Sequence, residues 1–489
     1  EVGHIMIPRQ PCGIMMWQTS WAHHALALTM LATASAFTTN LALPGSPVSF
    51  KPPYNKPSPT CLSPVRLGAC SVGGLQMAVV NDPRIKSKKA ILRKSIKTPD
   101  PIPQEGIALA TELMESGKLY RYSAESDETC MVSRCEKALA DYTGHKYCVA
   151  LNSCGSAIFM ALKCVGAQPG DKVLSNAFTF TAVPSAIVHA SCEPVYVECT
   201  DNFLMDPEHL AEMADKSGAK FCLVSHMRGK VGDMDKISAI CKERGIIMVE
   251  DCAHSLGVSW KGEHSGHFGA MACISSQSYK MLNSGEGGFL LTNDDELAAK
   301  SILYAGAYEQ LYRKHLLRPA DEIFERLKYE TPNYSLRMHA VSAAIVLPQI
   351  ATLDERIAVY NRRYVEVERR LNAIPHMTVP KQLEHVSPVC DSVQFTFDGL
   401  TEKMMEVFLQ ECRDHGVPVE VFGARTNARY FRNWRYTAES MKQFDSLPKT
   451  EKVIQWTADV RLPLMFEDED FDVMCTVLEE AMQEALKPN

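Results

Sequence analysis

Several features are scarce in this sequence of 489 residues, and each absence narrows the class of protein. Cysteine occurs 17 times, an odd number, but never as a CxxC pair. This indicates reduced, mostly buried thiols of an intracellular protein rather than a disulfide framework. A basic excess is absent, because the net charge is −7, so nothing indicates a nucleic-acid-binding protein. Beyond the N-terminal region, no segment is long and apolar enough to span a membrane.

Acidic residues are missing from the N-terminal region, where none occurs between Glu1 and Asp82. Within it, Ala25–Ala36 is too short to span a bilayer but suits a signal-peptide core, and it ends in a small-residue cleavage site, Ala-Ser-Ala. The next stretch, Phe37–Val80, is rich in Ser, Thr and Pro. Together they resemble the bipartite plastid-targeting leader of algae with secondary plastids. We therefore predict a leader over residues 1–88 and a plastid rather than a cytoplasmic location; a disordered tail is the alternative.

Short apolar runs and helical segments alternate from about Pro101 to Asn293. Seven runs predict strands: KYCVALNS, DKVLSNAF, EPVYVEC, AKFCLVSH, IIMVED, MACISSQ and GGFLLTN. Helices are predicted between them, for example over Gly155–Cys164 and Thr181–His189. This alternation is typical of the α/β class, with a mainly parallel sheet covered on both faces.

The second half predicts a different architecture. Residues from about Met338 to Ala373 are expected to form one long helix or a bent pair, with the bend at Pro348. Strands and helices then alternate less regularly, through SVQFTFDG, VPVEVFG, DVRLPLMF and an acidic final helix. We therefore expect a large domain over residues 89–345 and a smaller α+β domain over residues 346–489.

Two charged residues follow predicted strands of the large domain. Asp251 ends the apolar run IIMVED, and Lys280 comes shortly after MACISSQ and before a glycine-rich turn. In a parallel sheet the ligand site lies beyond the carboxyl ends of the strands, so we expect both side chains there. Taken singly, the aspartate is also consistent with a helix cap or a turn residue, and a lone lysine after a strand is far more often a surface residue.

Two further stretches fall at the same predicted edge. NSCGSA places Asn152, Ser153, Gly155 and Ser156 between a strand and a helix, where free N–H groups bind phosphate; an ordinary capped helix start is the alternative. NAFTFTA places two phenylalanines after the next strand, where a flat ring could stack on one of them. Core packing is the other interpretation of these rings.

Eight motifs, in order, resemble the DegT/DnrJ/EryC1/StrS aminotransferases, which are sugar aminotransferases of pyridoxal phosphate fold type I. The resemblance covers about Pro101 to the C-terminus and runs through NSCGSA, GDKV…FTFTAV, EPVYVE, SHMRGKVGDMD, VEDCAHSLG, SYKMLNSGEGG, NYSLRMHAVSAA and RLPLM. It implies an αβα large domain with a mainly parallel sheet, a smaller C-terminal α+β domain, and pyridoxal 5′-phosphate as the cofactor.

The resemblance also implies roles for individual residues. Lys280 would form the internal aldimine, Asp251 would pair with the pyridine nitrogen, and His254 would lie beside the ring and its phenolic oxygen. Phe180 occupies the position of the aromatic residue that stacks on the ring. The presence of Lys280 argues against the dehydratases of the family, in which histidine replaces the lysine.

The phosphate group is expected to bind at positions that match the family's cradle. Gly155 and Ser156 match its backbone part, and Ser275 matches a hydroxyl that reaches the phosphate. Where the family often has an asparagine that reaches the phosphate of the partner subunit, this chain has Ser335, and Asn333 is the alternative. The resemblance thus predicts a homodimer in which each site is built from two chains.

The implied function is transfer of an amino group from glutamate or glutamine to a keto-sugar, commonly nucleotide-linked, by a ping-pong mechanism. The alternatives are a sugar dehydratase, a keto-cyclitol aminotransferase and a regulatory protein that binds the cofactor without turnover. No metal is expected, because His264 and His267 have HxxH spacing but lie in a polar loop without further ligands. The partners are therefore small molecules, with no nucleic acid and no membrane for the mature protein.

Substrate specificity is expected from the segments that are least typical of the family. These are Tyr120–Ser126, Arg228, the insertion Tyr308–Tyr334 and the arginine-rich stretch Val421–Trp434. The last contains Arg425, Arg429 and Arg432, with Arg435 just beyond. These arginines would either contact nucleotide phosphates or form a solvated basic loop.

Overall fold

The computed structural model describes residues 89–488, so the leader predicted over residues 1–88 lies outside the described residues. All seven strands predicted for the first half are present, each five residues long. In chain order the strands are β1 (Tyr147–Leu151), β2 (Lys172–Asn176), β3 (Glu193–Val197), β4 (Phe221–Ser225), β5 (Ile247–Asp251), β6 (Ser259–Trp260), β7 (Glu263–His264), β8 (Met271–Ser275), β9 (Gly288–Thr292), β10 (Met377–Thr378), β11 (Val386–Ser387), β12 (Ser392–Phe397), β13 (Glu420–Val421) and β14 (Thr457–Arg461).

Helices connect these strands and cover them. In chain order they are α1 (Gln104–Ser116), α2 (Met131–Thr143), α3 (Cys154–Cys164), α4 (Ala182–His189), α5 (Pro207–Ser217), α6 (Met234–Glu243), α7 (Asp295–Ala305), α8 (Asp321–Leu327), α9 (Ala340–Ala351), α10 (Leu353–Leu371), α11 (Glu402–Asp414), α12 (Ala438–Lys442), α13 (Pro448–Gln455) and α14 (Asp468–Ala485). A short 3₁₀ turn over Met227–Gly229 follows β4.

The first half forms a seven-stranded sheet with the order β1-β9-β8-β5-β4-β2-β3. The neighbours from β8 to β3 all pair in parallel. Only β9 runs the other way, antiparallel to both β1 and β8. The mainly parallel α/β sheet predicted from the sequence is therefore confirmed.

Both faces of this sheet are buried, as β4 shows. Cys222 and Val224 pack into one apolar cluster, which includes residues of α2 and α9, whereas Phe221 and Leu223 pack into a second cluster with residues of α3 and α7. Because successive side chains of a strand point to opposite faces, an uninterrupted apolar run is what a sheet between two helical layers requires. The result is a three-layer αβα arrangement.

The second half contains a four-stranded sheet with the order β10-β12-β14-β13, packed with α10, α11 and α14. A three-stranded sheet, β11-β6-β7, links the two halves, and its β6–β7 hairpin was not predicted. Residue 345 lies inside α9, which packs on α1 and α2. The division into domains at residues 345 and 346 stays a prediction.

The bent helix pair exists, but the expected bend at Pro348 is wrong. Pro348 lies inside α9, and the break comes at Thr352, where the backbone leaves helical geometry before α10 begins. The hydroxyl of Thr352 donates to the carbonyl of Gln349 at 3.3 Å, so a side chain takes up a carbonyl near the end of α9. The N–H that Pro348 lacks thus does not end α9, which continues for three more residues to Ala351.

Two absences can be compared with the sequence expectations. Among the described residues, no helix combines the length and hydropathy needed to cross a membrane. The cysteines of residues 89–488 are all free, and all of them except Cys154 are buried. This agrees with the expected buried thiols, Cys130 and Cys135 included.

Candidate active site

A cavity of about 580 Å³ opens where the carboxyl ends of β5 and β8 meet the start of α3. It lies at the edge of the parallel sheet where ligand sites are expected. Most of the residues predicted for the site line it: Gly155, Phe180, Asp251, His254, Ser275 and Lys280.

Asp251 is the last residue of β5, and its carboxylate is held by hydrogen bonds. Its Oδ2 accepts the hydroxyl of Ser225 at 2.8 Å, and its Oδ1 accepts the N–H of Ala253 at 3.1 Å. Thr179 in turn donates to the Ser225 hydroxyl oxygen at 2.7 Å. These contacts fix the direction of a buried carboxylate whose remaining lone pairs are available to a ligand in the cavity.

Lys280 lies in the segment between β8 and β9, with its N–H bonded to the carbonyl of Gln277 at 2.9 Å. Its Nζ is 2.6 Å from Nε2 of His254. Burial, followed by the charge of Lys280, lowers the pKa of His254 well below its usual value, so the imidazole is neutral and can accept this bond. The other ring nitrogen, Nδ1, is buried and has no partner among the described residues.

The amine of Lys280 is unusually easy to deprotonate. Burial, reinforced by the charge of Arg228 and opposed by that of Asp251, lowers its pKa from 10.5 to about 7. Near neutral pH a substantial fraction of the amine therefore lacks a charge. A neutral amine at the floor of a cavity is chemically available as a nucleophile and as a base.

The glycine-rich turn after Lys280 serves close packing. A Cβ atom on Gly288 would lie 2.4 Å from the carbonyl carbon of Ser153, and one on Gly287 would lie 2.3 Å from Oγ of Ser276. Glycine at position 288 therefore lets the start of β9 pack against the start of α3, and glycine at position 287 lets the turn pack against Ser276 after β8. This contact brings the lysine segment and the helix N-terminus to the same cavity.

The start of α3 lies at the cavity, where the phosphate cradle is predicted. Ser153 caps the helix, because its Oγ accepts the N–H of Ser156 at 3.1 Å and donates to the Ser156 hydroxyl at 2.9 Å. Gly155 faces open space, since a Cβ there would meet no atom closer than 3.9 Å. Gly155 and Ser275 thus line the cavity, whereas Ser156 supports the cap and does not.

The structure separates the two phenylalanines that the sequence left as alternatives. Phe178 is fully buried in the core, and Phe180 is 40% exposed and lines the cavity. The guanidinium of Arg429 lies 5.5 Å from the centre of the Phe180 ring. Phe180 is therefore the ring on which a planar ligand can stack.

Ser335 lies outside this cavity. It is exposed, adopts a left-handed backbone (φ 56°), and donates its N–H to Oδ1 of Asn333 at 2.7 Å. The contact predicted for it, or for Asn333 in its place, is with a second chain, so that role stays a prediction.

Other polar residues near the site have structural partners. His264 accepts the N–H of Gly257 at 2.9 Å, and His267 donates to the carbonyl of Thr143 at 2.7 Å, so both HxxH histidines hold the β6–β7 region in place. In the described part of the chain, the group with metal-ligand spacing is instead His226, Glu250 and Cys252. Its carboxylate is occupied by hydrogen bonds from the protein.

Three arginines of the cavity were missed as site residues or flagged only for specificity: Arg228, Arg429 and Arg461. Arg228 has a left-handed backbone (φ 58°) and pairs with Asp459. Arg461 ends β14 and donates to the carbonyl of Tyr279 at 3.0 Å. The sequence feature that could have indicated Arg461 is its position at the start of RLPLM, at the end of a predicted strand.

Comparison with known proteins gives a consistent assignment. The DegT/DnrJ/EryC1/StrS aminotransferase family matches residues 102–479. Spore coat polysaccharide biosynthesis protein SpsC of Bacillus subtilis (strain 168) is 33% identical over 256 residues, or 52% of this chain and 63% of that protein. The UDP-2-acetamido-2-deoxy-3-oxo-D-glucuronate aminotransferase of Pseudomonas aeruginosa is 31% identical over 245 residues, or 50% and 64% respectively. The chain thus spans under two thirds of the length of these relatives.

The fold has solved counterparts as well. The crystal structure of 3-amino-5-hydroxybenzoic acid synthase superimposes with a TM-score of 0.68 at 22% identity, covering 80% of this chain and 100% of that one. At this identity the likeness concerns the fold. It agrees with the αβα sheet and second, smaller sheet described above.

Proposed function

The chain belongs to the DegT/DnrJ/EryC1/StrS aminotransferase family, and on that premise we propose that it transfers an amino group from glutamate or glutamine to a nucleotide-linked keto-sugar in two half-reactions. Pyridoxal 5′-phosphate is the cofactor of this family. The observation that carries the proposal is the amine of Lys280, with a pKa lowered to about 7, in one cavity with Asp251.

The residues present fit this cofactor. Gly155 leaves open space at the helix start, and Nδ1 of His254 is a buried polar atom without a partner among the described residues. We assign the phosphate to the first-turn N–H groups of α3 and the Ser275 hydroxyl, since such N–H groups and the helix dipole favour an anion. Phe180 would cover one face of the ring.

When bound, the cofactor supplies a protonated pyridine ring that withdraws electrons from the reacting carbon of the substrate. Asp251 would hold the proton on the ring nitrogen, because hydrogen bonds from Ser225 and Ala253 fix the direction of its carboxylate. Within each half-reaction, Lys280 would accept a proton at Nζ from one reacting carbon and deliver it to the other, so that its amine ends the half-reaction neutral. Neutral His254 accepts a hydrogen bond from Nζ and orients it.

A homodimer belongs to the same proposal. Ser335 and Asn333 are exposed and close to each other, outside the cavity of their own chain. We propose that one of them reaches the phosphate of the partner subunit. Light scattering combined with an activity assay tests this, because an active monomer would contradict it.

The half-reaction with the donor tests the main proposal directly. Adding glutamate or glutamine to the purified holoenzyme should change the visible absorption of the cofactor and release about one equivalent of keto acid per site. The aminated enzyme should then react with a member of a panel of nucleotide-linked keto-sugars and keto-cyclitols. A stable spectrum and no keto acid with either donor would contradict an aminotransferase and favour a protein that binds the cofactor without turnover.

A further inference from the structure

Three arginines far apart in the sequence meet on one wall of the cavity. Arg228 follows β4, Arg429 follows β13, and Arg461 ends β14. The large sheet therefore contributes one guanidinium, and the second sheet and its following loop contribute two. Such convergence within a cavity requires a source of negative charge.

The carboxylates of this wall balance only part of the positive charge. Arg228 pairs with Asp459, and Glu420 pairs with Lys97 at 2.7 Å. Within residues 89–488, neither Arg429 nor Arg461 forms a salt bridge with a carboxylate. Two of the three guanidinium groups of the wall therefore have no salt-bridge partner among the described residues.

Arg429 is the least compensated of the three. Its Nη1 donates to Oδ1 of Asn427 at a long 3.3 Å, and its buried Nε has no partner among the described residues. Burial, followed by the charge of Arg228, lowers the pKa of Arg429 to about 10. The charges of Asp459 and Glu420 act in the opposite direction, but neither carboxylate forms a salt bridge with Arg429. A desolvated guanidinium without a paired carboxylate is costly, and an anion in the cavity would reduce that cost.

The position of the wall indicates which anion it suits. The charges of Arg228 and Arg429 lower the pKa of Lys280, so both lie near the reacting amine. A group bound by them would be attached close to the reacting carbon of the substrate. A nucleotide diphosphate is separated from the keto carbon by the sugar ring, which makes a carboxylate the better candidate.

We propose that Arg228, Arg429 and Arg461 form a subsite for a carboxylate that a substrate carries near its reacting carbon. This inference rests on the proposed aminotransferase function. The planar guanidinium matches a carboxylate with two parallel hydrogen bonds, and the ion pair with Asp459 holds the Arg228 guanidinium in place. The carboxylate belongs either to the amino donor or to an acidic keto-sugar.

Equilibrium binding tests the subsite without turnover. Glutarate stands for the donor and glucuronate for an acidic sugar, each titrated calorimetrically into the holoenzyme at constant ionic strength. One of them should bind, and Arg429→Gln and Arg461→Gln should each weaken it about tenfold or more, as expected for charge-assisted hydrogen bonds. Arg425→Gln, in the same loop but exposed, should change nothing, and Arg429→Lys should retain part of the affinity.

Steady-state kinetics then identify which substrate carries the carboxylate. If it is the donor's, Arg429→Gln raises the KM for glutamate about tenfold and leaves the choice between acidic and neutral keto-sugars unchanged. If it is the acceptor's, the variant loses a preference for a nucleotide-linked oxo-uronate over the matching oxo-hexose. Either result, with the matching probe weakened, supports the subsite.

Two results would overturn the proposal. One is that neither probe binds the wild type, or that both bind it and the two glutamine variants equally. The other is that Arg429→Gln weakens UDP instead, which would assign the wall to the nucleotide. A failed half-reaction would contradict the aminotransferase function alone, because the calorimetric comparison does not depend on turnover.

Discussion

Two neighbouring carboxylates at the end of β5 differ in how many hydrogen bonds they accept from the protein. Glu250 points to one face of the sheet, where it accepts His226 Nε2 at 2.9 Å and the N–H groups of Gly266, Phe268 and Gly269 at 2.9, 2.8 and 2.6 Å. Asp251 points to the other face and accepts two hydrogen bonds from residues in the described range 89–488. Both side chains are buried.

The difference lies in how much acceptor capacity each carboxylate has left. Although burial acts to raise it, the pKa of Glu250 lies below its ordinary value because His226 and the backbone N–H groups bind the carboxylate. That saturated group holds the β6–β8 region onto the sheet. Asp251 keeps lone pairs directed at a cavity, which is the property of a residue that binds a ligand.

The largest effect is expected on turnover, from changing Lys280 in the cavity that Asp251 faces. Lys280→Ala removes the amine that moves the proton, so turnover should fall about 10³-fold or more. Borohydride reduction and peptide mapping should place the pyridoxyl group on Lys280 of the wild type and on no lysine of the variant. Lys261→Ala, on the exposed turn of the β6–β7 hairpin, is the matched control and should keep both properties. A label on another lysine of the wild type would contradict the assignment.

Changing Glu250, the structural carboxylate, should instead lower the free energy of unfolding. Glu250→Gln places an amide N–H₂ against at least one backbone N–H, which leaves a buried donor unpaired and should lower the free energy of unfolding by about 3 kcal/mol. Urea denaturation followed by circular dichroism measures this loss. The matched variant Asp251→Asn should lose less than about 1 kcal/mol. Equal losses in the two variants would remove the distinction between the carboxylates.

For turnover we expect the reverse order, with a large loss on changing Asp251. Asp251→Asn should retain the fold and the cofactor but lose at least about tenfold in turnover, because an amide cannot hold the ring nitrogen protonated, and one pKa unit corresponds to about tenfold. Steady-state assay alongside a cofactor absorbance titration measures both properties. Near-normal turnover in this variant would refute the role of Asp251.

A smaller effect is expected in the pH dependence. Because Lys280 accepts a proton only when neutral, and its pKa is about 7, the half-reaction with saturating glutamate should accelerate as pH rises through 7 and level off above it. Arg228→Gln removes a charge that lowers this pKa, so the acidic limb should move to higher pH. Arg425→Gln should leave the limb in place. A limb that stays fixed in Arg228→Gln would show that the charge does not reach the amine.

The smallest effect is expected outside the described residues. We propose that residues 1–88 direct the protein to a plastid and contribute nothing to the site. A chain that begins at Asp82 should therefore unfold and bind pyridoxal phosphate like the full chain. In an algal cell, a fluorescent protein fused behind Glu1–Val80 should enter the plastid, and replacing Phe37 should misroute it. A cytosolic fusion protein would contradict the targeting role.

The sequence was informative wherever a motif follows a strand of the large sheet. Asp251, Ser275 and Gly155 were placed at one edge because β5, β8 and the β1–α3 turn end there, and the structure brings them together. The separation of Phe180 from Phe178 needed the structure, because both follow β2 and only packing decides which ring is buried.

The rest depends on contacts between distant parts of the chain. Arg461 lines the cavity because the second sheet brings the end of β14 there. The motif RLPLM marks the end of that strand but does not indicate where the second sheet packs. The role of Glu250 was missed for the same reason, since its donors come from a loop 16 to 19 residues away. The bend was misplaced because a proline inside a helix usually bends it, whereas α9 contains Pro348 without a break and ends at Ala351.

The reversed strand β9 has a consequence for how this protein is made. In the seven-stranded sheet of the described residues, β1 pairs with β9 alone. The strand-pairing partner of Tyr147 is therefore Thr292, which is synthesised much later. During synthesis, β1 therefore leaves the ribosome as an unpaired edge and stays so while β2 to β8 emerge. Such edges attract other chains, and long-range pairing is slow to form. The pairing of β1 with β9 is thus the step at which a chaperone would be most useful to the nascent chain.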